Sequence, residues 1–150
     1  MSRDETSPPE GALTTAVSHR VAFYETDAMG IVHHANYLRL FERARVQWLD
    51  DHDQPYRNYM ADGMHFATTH VEIDYRGTTR FDDKLTVTTW LEWVRGASLR
   101  MAYRIEHEGK LKVTGATEHA AVNDDGRVRR IPLARRKTLQ QTVGPGNKAQ

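Results

Sequence analysis

A change of hydrophobic period near residue 35 is the feature that most constrains how this chain can fold. Between residues 35 and 51, apolar side chains recur at steps of three and four residues, the spacing of one face of an α-helix. The apolar positions are Tyr37, Leu38, Leu40, Phe41, Ala44, Trp48 and Leu49. The pattern predicts an amphipathic helix of about four to five turns, long enough to lie across a sheet.

Segments of alternating apolar and polar residues flank the helix and predict strands. One such segment precedes the helix at 18–25, and four follow it at 64–76, 84–94, 97–107 and 110–123. Arg95-Gly96 and Glu108-Gly109 separate the last three segments and predict tight hairpins. The order of strand, long helix and four antiparallel strands predicts an α+β fold, with a long central helix wrapped by a curved antiparallel sheet.

The 150 residues are few enough for one domain. Segments 1–16 and 141–150 are polar or rich in Pro and Gly and are expected to be flexible tails, so 17–140 is the predicted folded unit. No stretch approaches the roughly 18 apolar residues of a membrane span, and the start is polar. The absence of Cys excludes disulfides, thiolate nucleophiles and cysteine-ligated zinc, and a cytoplasmic location is expected.

Motif patterns exclude several other kinds of chemistry. The four Ser do not form the G-x-S-x-G turn of serine hydrolases. The eight His lack the H-E-x-x-H spacing, and His65 and His70 have opposite parity on a strand, so no metal is predicted. No phosphate-binding loop is present, and no cofactor is expected. A net charge of only +1 without a recognition motif argues against nucleic-acid binding.

One loop combines a carboxylate with the start of the long helix. Asp27 and Gly30 lie a few residues before that helix, whose first N–H groups lack partners within it. A carboxylate can act as a nucleophile or general base, while such N–H groups can stabilise an oxyanion. Alternatively, Asp27 caps a turn or complements the helix dipole. The residues alone leave both interpretations open.

The same loop and helix resemble a known enzyme signature. The matching residues are Tyr24-x-x-Asp27-x-x-Gly30-x-Val32-x-His34-Ala35-Asn36-Tyr37, followed by Phe41-Glu42-Arg43-Ala44-Arg45. They are similar to the motif of hotdog-fold acyl-CoA thioesterases of the 4-hydroxybenzoyl-CoA thioesterase and YbgC type. Residues 75–83 and 95–98 resemble later segments of that family, so the resemblance covers about residues 18–140.

The resemblance implies a hotdog fold, dimers that join their sheets edge to edge, often tetramers, and active sites at the subunit interface. It implies that Asp27 is the catalytic carboxylate, attacking the thioester carbonyl or activating water, while a backbone N–H near His34 polarises that carbonyl. Tyr24 and His34 are then expected to shape or polarise the pocket. The expected substrate-binding residues are Gly30, Val32, Asn36 and Tyr37 from the motif, with Arg80 and Arg130 as candidates for the CoA phosphates.

An alternative function on the same fold is non-catalytic binding or sensing of acyl-CoA. The presence of Asp27 favours the enzyme. Aliphatic and aromatic acyl groups remain open as substrates, as do dimer and tetramer.

Overall fold

The structure is a computed structural model that describes residues 6–145. Its elements are β1 (Thr14–Arg20), α1 (Asn36–His52), α2 (Tyr56–Ala61), β2 (His65–Tyr75), β3 (Lys84–Val94), β4 (Ser98–His107), β5 (Lys110–Val122) and α3 (Leu133–Thr142). A single 3-10 turn, Phe23–Glu25, lies between β1 and α1. No helix within residues 6–145 is long and apolar enough to cross a membrane.

The five strands form one antiparallel sheet in the order β1-β3-β4-β5-β2. The long helix α1 lies against one face of this sheet and buries its apolar stripe there. This arrangement confirms the predicted α+β fold and the predicted helix. The strand β2 pairs with β5 instead of its sequence neighbour β3, so β2 and β1 are the two edges.

The helix α1 approaches the sheet closely at one glycine. The Phe41 ring stacks on the Tyr103 ring with 4.2 Å between centroids, and both side chains are buried. A Cβ atom on Gly115 would lie 2.6 Å from the Phe41 ring. The glycine therefore makes room for the aromatic ring that anchors α1 over β5.

The first strand was predicted at 18–25, so its predicted start and end lie four and five residues beyond those of β1. It ends at Arg20, because Val21 leaves β1 and bonds through its backbone to Asp82 and Asp83. The following residues form the 3-10 turn, in which the Glu25 carboxylate accepts the Ala22 N–H at 2.7 Å. A local side-chain contact thus ends the extended conformation that the alternating pattern had suggested.

Both ends of the predicted folded unit extend further than expected. The strand β1 begins at Thr14, inside the segment 1–16 predicted as a tail, and α3 ends inside the segment 141–150. The Leu13 N–H donates to the Thr142 carbonyl, and the Trp48 indole N–H donates to the Leu13 carbonyl at 3.0 Å. The remainder of the predicted tails, 1–5 and 146–150, lies outside the described residues.

Two helices were not expected from the sequence. The six-residue α2 is fixed by Tyr59, whose buried side chain bonds to Asp53. The helix α3 lies in a region where no helix was predicted, and it buries Leu139 while Arg135 bonds to Asp53 at 3.0 Å. The helix α2 therefore depends on a contact with the residues just before it, and α3 on a contact 82 residues away, more than on their own patterns.

Candidate active site

The loop that carries Asp27 is a small hairpin closed by its own backbone. The Asp27 N–H donates to the Ile31 carbonyl, and the Gly30 N–H donates to the Asp27 carbonyl, both at 2.9 Å. Gly30 has φ +77°, the left-handed region that favours glycine. One Asp27 carboxylate oxygen accepts the Met29 N–H at 2.8 Å. These bonds hold the half-buried carboxylate in one orientation, with its second oxygen uncommitted within residues 6–145.

A cleft of about 160 Å³ lies between this hairpin, the start of α1 and the end of β2. Its lining residues are Asp27, Met29, Ile31, Val32, His34, Tyr37, Tyr75, Gly77 and Thr78. Four of the residues predicted from the motif are therefore brought together here, namely Asp27, Val32, His34 and Tyr37. Most of the lining residues are apolar or aromatic, and Asp27 is the acidic residue among them.

The residue just before the N-cap of α1 presents an unused backbone donor beside the cleft. Ala35 is the N-cap and makes no side-chain capping bond. The Asn36 N–H donates to the His33 carbonyl at 2.9 Å, and the Ala35 N–H contacts His33 Nδ1 at 3.2 Å. Within the described chain, nothing accepts a hydrogen bond from the His34 N–H. That N–H can donate a hydrogen bond to an oxygen atom bound in the cleft.

Two tyrosines form the wall of the cleft. The buried Tyr37 hydroxyl is 2.7 Å from Thr79 Oγ1, and the Thr79 carbonyl accepts the Val32 N–H at 2.8 Å. The Tyr75 hydroxyl donates to the His34 carbonyl at 2.9 Å. Burial raises the pKa of both phenols above the ordinary value, so both remain protonated at neutral pH.

Sequence reasoning gave no role to Tyr75 or Thr79. Both contact the start of the helix from positions about forty residues later in the chain. Both lie within the stretch 75–83 that resembles the family, but that resemblance indicated no role for either side chain.

Three other residues predicted from the motif, Tyr24, Gly30 and Asn36, are not among the lining residues of the cleft in their own chain. Tyr24 is 83% exposed on the 3-10 turn and is not among the lining residues. The Asn36 side-chain amide donates to the Glu25 carbonyl at 2.8 Å, which uses it to hold the loop against α1. The His34 imidazole is exposed and stacks on the His33 ring at 4.2 Å.

The two candidate phosphate-binding arginines lie at opposite ends of the sheet. Arg80 pairs with Ile31 through an isolated bridge, and its guanidinium is 3.5 Å from the Gly30 carbonyl at the rim of the cleft. The Arg130 guanidinium lies over Gly96, beyond the far end of β3. A strand of that length spans roughly 33 Å. Of these two arginines, only Arg80 is near the Asp27 of its own chain.

Comparisons with known proteins match this fold and this loop. Residues 21–142 match the model of the thioesterase-like superfamily. The chain is 34% identical over 113 residues to a putative esterase of Aquifex aeolicus, covering 75% of this chain and 88% of that protein. It is 32% identical over 113 residues to the acyl-CoA thioesterase YbgC of Haemophilus influenzae, covering 75% of this chain and 82% of that protein.

A solved structure agrees with these relatives. The crystal structure of the hypothetical protein TT1821 from Thermus thermophilus superimposes with a TM-score of 0.79 at 32% identity, covering 85% of this chain and 95% of that one. The predicted resemblance is confirmed, and the chain belongs to the thioesterase-like superfamily and has its hotdog fold.

Proposed function

We propose that this protein hydrolyses acyl-CoA thioesters to a free acid and CoA. The observation that carries the proposal is the cleft in which the Asp27 carboxylate lies beside the unused His34 N–H. A relative in the same superfamily is named as an acyl-CoA thioesterase, which supports this substrate class. The cysteine-free composition is compatible with a cytoplasmic location, which we also propose.

The two groups divide the reaction between them. The thioester carbonyl oxygen accepts the His34 N–H, which stabilises the negative charge that develops there. The Asp27 carboxylate either attacks the carbonyl carbon or removes a proton from the attacking water. The carbon–sulfur bond then breaks, and the thiolate leaves with little acid assistance because a thiol is far more acidic than an alcohol.

The two routes for Asp27 differ in the fate of the solvent oxygen. Turnover in ¹⁸O-labelled water tests them by mass spectrometry of the Asp27 peptide. Label in that carboxylate identifies attack by Asp27 through an acyl anhydride, which water then opens at the aspartyl carbon. In the general-base route the label enters only the acid product.

We further propose a homodimer, or a tetramer built from such dimers, with the cleft at the subunit interface. The strand β2 supports this proposal because it is an eleven-residue edge strand whose backbone is open to a further strand. In such an assembly Tyr24 and Arg130 act on the partner's cleft, because both lie away from the cleft of their own chain.

The first test compares wild type with Asp27→Asn on short-chain, long-chain and aromatic acyl-CoAs, following thiol release with a thiol-reactive dye. The cysteine-free protein gives no background signal. We expect turnover to fall by about 10²- to 10⁴-fold in Asp27→Asn, because the amide is neither a nucleophile nor a base. The control is Asp125→Asn in an exposed turn, which should retain wild-type turnover.

Absence of hydrolysis in both wild type and variant would contradict the proposed enzymatic function. If acyl-CoA still raised the melting temperature of both proteins, the sensing function would replace it.

A further inference from the structure

A buried acid and a histidine lie beneath the loop that carries Asp27, outside the cleft itself. The Glu25 carboxylate is mostly buried at the end of the 3-10 turn. It accepts the Ala22 N–H at 2.7 Å and lies 2.8 Å from His19 Nε2 at the end of β1. On the other side of the imidazole, His19 Nδ1 is 3.1 Å from a guanidinium nitrogen of Arg43 on α1.

The chemistry of these groups leaves one arrangement of protons. A guanidinium can only donate hydrogen bonds, so His19 Nδ1 must present its lone pair to Arg43. The ring proton of a neutral imidazole is then on Nε2, where it is donated to Glu25. Both ring nitrogens are thereby committed, and the imidazole joins β1, the turn and α1.

The backbone of Glu25 connects the same cluster to the proposed oxyanion donor. Its carbonyl accepts the His33 N–H at 2.9 Å and the Asn36 side-chain amide at 2.8 Å. These two residues flank His34, and Asp27 follows Glu25 by two positions. Glu25 is therefore the point at which the carboxylate loop and the first turn of α1 are attached to each other.

We propose that His19 and Glu25 are positioning residues that fix the Asp27 carboxylate relative to the His34 N–H. This inference rests on the proposed function. Neither side chain lines the cleft, so neither touches the substrate. The bond from His19 supplies one of the donors that a buried carboxylate requires, and its loss releases the 3-10 turn from which the loop with Asp27 begins. Small displacements of a reacting group cost large factors in rate.

The test uses two substitutions of His19 and one matched control. His19→Gln keeps an N–H donor for Glu25, whereas His19→Leu removes it. Arg20→Gln is the control, because Arg20 is the next residue of the same strand and forms an exposed ion pair with Asp82 outside the cluster. Each full-length protein is assayed for kcat and KM on the acyl-CoA that wild type turns over fastest.

We expect His19→Leu to lower kcat by about 10- to 100-fold with KM within about twofold of wild type, since binding contacts remain while the alignment is lost. His19→Gln should restore kcat to within about threefold of wild type, and Arg20→Gln should leave it unchanged. Equal kcat in wild type and His19→Leu would overturn the inference, as would equal losses in His19→Leu and His19→Gln.

Amide hydrogen exchange provides a readout that does not depend on turnover. In His19→Leu, the amides of Asp27, Gly30 and Val32 should exchange faster, while those in the middle of α1 stay protected. Unchanged exchange in the loop would overturn the positioning role even if no acyl-CoA were hydrolysed. The proposed function is tested separately by Asp27→Asn, which should lose hydrolysis while amide exchange in the loop stays normal.

Discussion

Gly30 sets the shape of the loop that presents Asp27. Its φ of +77° lets the chain reverse within four residues, and a Cβ atom there would have only Arg80 Nη1 nearby, at 3.6 Å. Any effect of adding a side chain is therefore due to the backbone conformation and not to crowding. Gly109 has the same φ of +77° in the β4–β5 hairpin, where, apart from its chain neighbours, no atom of residues 6–145 lies within 4 Å of an added Cβ.

We predict that Gly30→Ala and Gly109→Ala each lower the free energy of unfolding by about 1 kcal/mol, because an L-residue is strained in this region. Only Gly30→Ala should also reduce thioester hydrolysis, since it displaces Asp27. Urea unfolding and the thiol-release assay measure the two effects. Equal activity of the two variants would show that the loop tolerates the change.

Residues close together in sequence could be predicted to share one cleft, whereas the distant Tyr75 could not. Asp27, Val32, His34 and Tyr37 lie within eleven positions, and their motif predicted the cleft that the structure shows. Tyr75 reaches the same cleft across a sequence separation of 41 residues. That contact depends on β2 pairing with β5, which no local pattern specifies.

Among the elements, α1 was predictable and the short helices were not. The helix carries a long apolar stripe, and its predicted bounds of 35–51 differ by one residue from Asn36–His52. The helix α3 has a polar sequence in which only Leu139 and Thr142 are buried, so periodicity could not reveal it. Local propensity determines an element only where its own pattern outweighs its tertiary contacts.

The strand β2 leaves part of the core face uncovered. Val71, Ile73 and Tyr75 share one parity, and Ile73 packs against the core. Val71 and Tyr75 nevertheless remain 41% and 48% exposed. Apolar side chains that face the core side of an edge strand without cover are typical of a surface that a second chain completes.

We predict that wild type is a dimer or tetramer and that Val71→Glu shifts it toward monomer. The introduced carboxylate would be buried without a partner at the joined edges. Light scattering after size exclusion measures the mass, and the thiol-release assay should show reduced turnover in parallel. Val128→Glu is the control, because Val128 is 69% exposed and lies outside β2, in an isolated bridge to Val122. A monomeric wild type would contradict the prediction.

The stability of the whole molecule should depend on pH through one buried histidine. His119 is 1% exposed in β5, with Nε2 at 2.8 Å from Thr117 Oγ1 and Nδ1 at 3.2 Å from Thr68 Oγ1. Burial first, and then the charge of Arg45, lower the pKa of His119 from 6.5 to about 3. The folded protein therefore holds His119 neutral, while the unfolded chain takes up a proton below pH 6.5.

We predict that His119 contributes stability above pH 6.5 and that this contribution falls as the pH drops from 6.5 toward 3. The slope reaches about 1.4 kcal/mol per pH unit, because the unfolded state binds the extra proton. Urea unfolding between these limits should give a smaller slope in His119→Gln than in wild type. His70→Gln, whose ring is half exposed, should keep the wild-type slope. Equal slopes in wild type and His119→Gln would contradict the assignment.

The two ends of the folded chain meet at the opposite end of α1 from Asp27. Gly11 and Gly144 lie against Pro145 and Pro9 respectively, and Leu13 bonds to both Thr142 and Trp48. Trp48 is roughly 18 Å along the helix from its first residue. A domain fused next to Pro9 or next to Pro145 would therefore attach on the same side of the molecule, remote from the loop that carries Asp27. The same proximity suits residues 9–145 to circular permutation, because a short linker can join these two points.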